Sequence, residues 1–435
     1  MKNNPLFFAM LMAGMSLGTA WAIRGQFGHE YGAAWAGAVG SLSVLVIARR
    51  ADWYAKVFAA TLAGALGWGL TGLASYGIVV GYGRGTEFVN VYYGLLMLFV
   101  IGGLYGYIGG GLFGLALADS RLKPVKWHEV IVEMTVGAVL FYFFMIEEFD
   151  WRMTPPRSEM WAACFGAAVA LTWYLVRNQQ TSALRVAVFS GLGGGFGFAF
   201  GNTLQVLGGL TGIKFNFWNV MEYTLGFFGG LGMAYGTLTS QWEPGDSHQP
   251  KAKVWFPLLT VLLVIPFVVW EQSFDSERLQ GIFSQIEVAP DSPVLTGVQW
   301  TSLGMVVLMT VWWWRRLYQT QPDPLSPTAR EVYALFLGHW GLYVVYSLLI
   351  TGAFMSGYRI EQYLYIVNWV IVALWIGKTQ PEFTPKPLAP KKWAVNFGGL
   401  LLFFAFLTLL LINSHGELKG AHKRFGAPPP VEENK

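Results

Sequence analysis

Apolar residues run along the chain in thirteen blocks, near 6–23, 31–48, 57–82, 91–118, 130–146, 160–176, 186–212, 217–240, 254–270, 298–314, 332–352, 360–377 and 394–412. A run of about 20 apolar residues crosses the hydrocarbon of a bilayer as one α-helix. The predicted fold is therefore all-α: a polytopic integral membrane helical bundle of about 13 transmembrane helices. The third, fourth, seventh and eighth blocks are long enough to be tilted, broken or locally unwound. The longest connection, 271–297, holds only 27 residues, so no soluble domain is left over.

Charged positions set the orientation. With Met1 in the cytoplasm, the inner connections collect 18 of the 29 Lys and Arg, among them Arg49, Arg50, Lys56, Arg121, Lys123, Lys126, Arg315 and Arg316. Positive residues favour the inner side, which gives N-in and C-out. The acids run the other way, with 16 of 25 on the outer side. The expected location is an inner membrane of bacterial type. Lys2, the first block and Ala20-Trp21-Ala22 also resemble a secretory signal with a small-x-small cleavage site. A first transmembrane helix is the preferred reading, because Gly14 and Gly18 look like packing positions.

Composition sharpens this picture. The chain is 54% hydrophobic and 12% charged, against roughly 25% charged for a soluble domain. Of its 53 glycines, 37 fall in 1–120 and 186–240. Between helices in lipid, glycine lets two backbones approach closely. Residues 1–240 therefore read as a glycine-rich transmembrane bundle, less glycine-rich in its fifth and sixth helices. Residues 241–413 read as a second transmembrane region, and 414–435 as a polar, disordered tail. Gly102, Gly106, Gly110 and Gly114 repeat every fourth residue, as do Gly193, Gly197 and Gly201, and Gly77, Gly81 and Gly85. Each series would smooth one helix face. Three glycine-dense hairpins, from blocks 1–2, 3–4 and 7–8, suggest a parallel internal repeat.

Polar residues gather at the predicted outer helix ends. The first outer turn carries Arg24, His29 and Glu30, with Arg24 and Glu30 placed to pair across it. The second carries Arg84 and Glu87. The seventh and eighth blocks bring Asn202, Asn219 and Glu222 into apolar surroundings, where buried polar groups need partners or a ligand. The densest cluster joins the fifth and sixth blocks: Glu147, Glu148, Asp150 and Arg152, then the stiff Pro155-Pro156 and Arg157. Adjacent carboxylates repel, and a partly desolvated one holds its proton. Glu147 and Glu148 with His29 are thus the candidate catalytic acid and base of an enzyme. Arg24, Glu30, Arg84, Glu87, Asp150, Arg152, Asn202, Asn219 and Glu222 are the candidate substrate-binding residues. Tyr76 and Trp218 are among the aromatics able to stack on a sugar. His339, deep in its block, is read as hydrogen-bonded to a tyrosine or carbonyl.

Several chemistries are excluded. The one cysteine, Cys164, supports neither a disulfide nor a cysteine metal site, and no histidine pair has zinc spacing, so no metal is expected. No P-loop, nucleotide fingerprint or nucleophile elbow appears. The motifs match no family that we recognise, and they name no cofactor. The net charge of +4 belongs to membrane topology and implies no nucleic acid. The expected partners are the lipid bilayer and a small polar solute or lipid-linked glycan. Glycine-broken helices with polar residues inside point first to a secondary transporter for a sugar or anion. An outward-facing membrane transferase is the alternative, and a non-catalytic scaffold a further one.

Overall fold

The structure is a computed structural model describing residues 5–27, 32–245, 250–353, 360–378, 381–387 and 390–426. Its elements are all helical: α1 (Pro5–Phe27), α2 (Ala33–Ala48), α3 (Ala51–Ala55), α4 (Val57–Thr71), α5 (Gly77–Tyr82), α6 (Phe88–Ala118), α7 (Trp127–Tyr142), α8 (Met160–Arg177), α9 (Thr181–Gly209) and α10 (Phe217–Leu238). There follow α11 (Lys251–Leu259), α12 (Ile265–Ser273), α13 (Ser276–Phe283), α14 (Pro293–Trp313), α15 (Ala329–Ile350), α16 (Glu361–Trp375) and α17 (Pro390–Ile412). Wider π turns continue α7 through Phe143–Glu148 and α14 through Trp314–Gln319, and another joins α11 to α12.

Each apolar block carries a helix, but not each is a full membrane span. Among the described residues, nine helices are long and apolar enough to cross a membrane. Of the remaining four blocks, α2 and α4 are shorter apolar helices. α10 carries Asn219, Glu222 and five glycines, and α16 has 15 residues. Of the four blocks expected to be irregular, only the third is broken. α4 stops at Thr71, the chain turns through 72–76, and α5 restarts at Gly77. Three glycines, Gly67, Gly69 and Gly72, weaken the helix there. The Thr71 hydroxyl donates to the carbonyls of Gly67 and Trp68, and side chains from other helices take the next free carbonyls.

Two of the three glycine series form real interfaces. A methyl group on Gly102 or Gly110 would meet the backbone or side chains of Gly194, Phe198 and Ser190 on α9 at 2.5–3.0 Å. Gly106 faces the Ser190 carbonyl. On the other side of α9, Gly197 and Gly201 press on Thr224, Leu225 and Met221 of α10. α10 in turn uses Gly226 and Gly230 against Leu17 and Ala13 of α1, whose own Gly14 and Gly18 face Phe227 and Tyr223. Helices α6, α9, α10 and α1 thus form one close-packed series. The third glycine series fails as an interface because it falls on the short α5 and its loop. Gly77 has nothing near it, and Gly81 faces the C-terminal segment.

The connections sort into two ends. At one end, Lys56 donates from its Nζ to the carbonyls of Leu117 (2.7 Å) and Asp119 (2.6 Å), closing the C-terminus of α6. Arg185 reaches Thr239 and the Lys386 carbonyl. The Lys251 N–H donates to Asp323. Burial works against the Asp52 carboxylate, yet the Arg50 guanidinium at 2.6 Å and the Gly245 N–H hold it below the ordinary carboxylate range. At the other end, Arg278 donates to the Phe27 carbonyl and Asn216 to Glu361.

Of the tail read as disordered, residues 415–426 are described and lie against α5 and α6, and 427–435 lie outside the described residues. The His422 N–H donates to the Gly81 carbonyl (3.0 Å), and the N–H groups of Arg424 and Phe425 converge on the Asn90 side-chain oxygen. Lys423 pairs with Glu87 (3.1 Å), and Arg424 donates to the Arg152 carbonyl (2.8 Å). Its partners lie on α5, on the α5–α6 loop, at the start of α6 and on the loop after α7.

The glycine interfaces make a direct prediction. Gly106→Leu should lower the unfolding midpoint by an amount equivalent to about 1–3 kcal/mol or more, because the facing backbone cannot yield. Gly338→Ala, with open space around it, should change the midpoint little. Thermal unfolding followed by circular dichroism in detergent distinguishes the two.

Candidate functional site

The site starts from a charge that the sequence leaves one turn from the end of α1. Arg24 is fully buried, and its cationic head lies 4.7 Å over the Trp21 ring. A buried charge needs a counter-charge. Glu222, one turn into α10 and equally buried, supplies it at 3.4 Å. The α4–α5 break supplies the rest. Arg24 donates to the Gly72 carbonyl at 3.4 Å, and the Tyr76 hydroxyl donates to the other Glu222 oxygen. Tyr105 of α6 donates to the Ala74 carbonyl at 2.9 Å. An interrupted helix, an ion pair and two tyrosines therefore satisfy one another inside the bundle.

One turn before Glu222 on α10, Asn219 extends this network. Its amide donates to the Ala22 carbonyl of α1 (2.9 Å) and its oxygen accepts from Tyr365 of α16 (2.8 Å). These bonds tie α1, α10 and α16 at the level of the ion pair.

Beside the break lies a cavity of about 600 Å³. Gly72 and Tyr76, both bonded to the ion pair, line it. So do Arg84, Trp218, Arg157, Ser158 and, from the C-terminal segment, Gly420 and His422. The Arg84 guanidinium sits 5.5 Å over the Trp218 ring. Burial pulls that guanidinium below its ordinary value, but an arginine stays charged in proteins. The loop carrying Arg157 and Ser158 is shaped by Glu159. Its carboxylate accepts from the N–H groups of Met153 and Thr154 at 2.8 Å and from Trp161 at 2.6 Å.

The structure thus brings together Arg24, Glu222 and Asn219, with Arg84 on the adjoining cavity. Arg24 remains inside α1, faces the bundle and pairs with Glu222; the expected Arg24–Glu30 pair falls on a residue outside the described ones. His29 and Glu30 lie outside the described residues. Glu147 and Glu148 are exposed at the end of the π turn after α7 and do not line the cavity. The neighbouring Phe143 and Phe144 also face outward, so no protein wall desolvates the two acids. Asp150 and Arg152 form an exposed pair with each other at 2.6 Å, and Glu87 is held by Lys423 and Asn90. Asn202 is buried and bonds within its own helix to Gln205 at 3.2 Å. His339 differs from its expected role: among the described residues neither ring nitrogen has a hydrogen-bond partner, and the ring lies 5.4 Å from that of Trp35. No group of three metal-ligating side chains occurs among the described residues.

Tyr105, Glu159, Arg157 and the 420–425 segment carry parts of this arrangement that the site prediction did not contain. Arg157 stood in the sequence as one more charge of an outer loop. Nothing in its spacing distinguished it from Arg152.

Comparison with protein-family models, curated proteins and solved structures finds no match for the chain.

The ion pair predicts a coupled loss. Arg24→Met or Glu222→Met alone should each cost about 3–5 kcal/mol, because each leaves an uncompensated buried charge. The double variant should recover most of that loss. A double-mutant cycle on thermal or denaturant unfolding reads the coupling, and additive losses would show that the two charges act independently.

Proposed function

We propose that the chain is a secondary transporter of a small polar solute, a sugar or an anion, crossing a bacterial inner membrane thirteen times with its N-terminus inside. One observation carries this reading: the buried Arg24–Glu222–Tyr76 set sits at an interrupted helix and shares Gly72 and Tyr76 with a polar cavity. Interrupted helices are tolerated in membranes where their freed backbone is buried in protein or lines a cavity, and in carriers they mark the binding site. The buried charges are rare and costly groups in lipid, and such groups commonly lie on substrate or ion pathways.

The crossing number is supported by the contacts between connections. Loops assigned to the inner side touch one another, as in Lys123 with Gln179 and Arg185 with Lys386, and outer loops likewise. That sorting is what thirteen alternating passes require, with α2, α4–α5, α10 and α16 as the passes that fall short in length or apolarity. The transferase reading has less support. It needs an acid and a base at one cleft, and among the described residues the cavity lining contains His422 but no carboxylate.

Topology is tested by cysteine labelling. In a Cys164→Ala background, a membrane-impermeant maleimide should label Asp150→Cys on intact cells and Arg121→Cys only after permeabilisation. The reverse pattern would invert the site. For transport, proteoliposomes should accumulate at least one of labelled glucose, succinate or phosphate above protein-free vesicles. The Arg24→Met/Glu222→Met double variant, checked for an unfolding midpoint near that of the parent chain, should lose at least tenfold of that rate. Undiminished uptake would make the pair structural only.

A further inference from the structure

We infer that the cavity beside the α4–α5 break binds a small organic anion, a carboxylate or phosphate ester, through Arg84 and Arg157. This rests on the transporter reading only for what happens after binding. Several arginines find partners within the chain: Arg24 with Glu222, Arg50 with Asp52, Arg152 with Asp150, Arg177 with Glu133, and Arg316 with Glu331. Arg315 and Arg330 are exposed, whereas Arg84 and Arg157 meet at one cavity. Among the described residues, neither guanidinium makes a hydrogen bond or ion pair to the protein, and both line the same cavity. Arg84 is only partly exposed, so its donors face the cavity more than bulk water.

The geometry holds these donors ready. A cation–π contact with the Trp218 ring, at 5.5 Å from its centroid, holds the Arg84 guanidinium while using none of its N–H groups. Arg157 stands on a loop fastened by the Glu159 carboxylate. A planar fork of N–H donors matches a carboxylate or phosphate in bidentate fashion. Ser75 and Ser158 add hydroxyls. Among the described residues no carboxylate lines the cavity to compete for the arginines or repel an anion. A neutral sugar would leave the half-buried Arg84 without a counter-charge, which is the costlier arrangement, while the exposed Arg157 adds attraction for an anion at the mouth. The volume of about 600 Å³ is that of a small-molecule pocket and exceeds what an inorganic ion fills. Leu73, Ile78 and Trp218 offer an apolar wall for the remainder of the molecule.

The test is ligand-induced thermal stabilisation of the purified full chain in neutral detergent at low salt. The probes are sodium phosphate, succinate and glucose 6-phosphate, with glucose and phosphatidylglycerol as controls. At least one soluble anion should raise the unfolding midpoint saturably. Arg84→Gln and Arg157→Gln should each weaken its apparent Kd at least tenfold, with unliganded midpoints near that of the parent chain. The inference is overturned if glucose stabilises as well as glucose 6-phosphate, or if no soluble anion stabilises. Equal affinity in both variants would also overturn it, as would stabilisation by phosphatidylglycerol alone, which would make the arginines a lipid headgroup site. Anion binding that depends on the arginines, without any uptake into proteoliposomes, would sink transport and leave the anion site standing. Glucose uptake unaffected by Arg84→Gln would do the opposite.

Discussion

The pairing of Arg24 with Glu222 is the constraint around which the bundle is arranged. Two charges buried in an apolar helical assembly cannot be left apart, so α1 and α10 must meet at this level. The single pair does not satisfy all of their donors and acceptors. Part of the remainder is taken by the Gly72 carbonyl and the Tyr76 hydroxyl, which are free to serve because the helix is interrupted between Thr71 and Gly77. The break and the ion pair therefore stabilise each other: each would be a liability in lipid without the other.

Close backbone approach makes that arrangement reachable. α6, α9, α10 and α1 follow one another through interfaces in which a glycine faces a carbonyl or a ring. With side chains removed from the contact, the helices come near enough for short side chains such as Asn219 to bridge them. The glycine density is thus tied to the polar interior. It supplies packing in a medium that offers no hydrophobic drive between helices, and it leaves room for polar groups to find partners on three different helices.

Local patterns were legible in the sequence, and long-range partners were not. The apolar blocks became helices because their length and continuity admit little else. The stripes Gly102–Gly114 and Gly193–Gly201 became interfaces because their spacing alone defines a helix face. Arg24 and Glu222 stood out as charges in apolar surroundings, but their mutual contact spans 198 positions, and Glu30 was the nearer acid in the chain. Glu147 and Glu148 are exposed and lie away from the cavity, because adjacency in sequence says nothing about a wall to desolvate them. Gly77, Gly81 and Gly85 carried the right period on a segment that is not a continuous helix. The contacts of residues 420–425 with Asn90 and Gly81 are of the same kind, since no composition reveals them.

The strap formed by residues 420–425 bears on how the molecule is made. Arg424 meets Asn90 across 334 positions of chain. During synthesis the arginine-bearing hollow therefore stands roofless while the helices up to α17 are made. It acquires this wall only when residues 420–425 arrive. A cargo fused shortly after Phe425 would burden that closing step, whereas one attached in the Pro250 region, at the opposite end, would leave it alone.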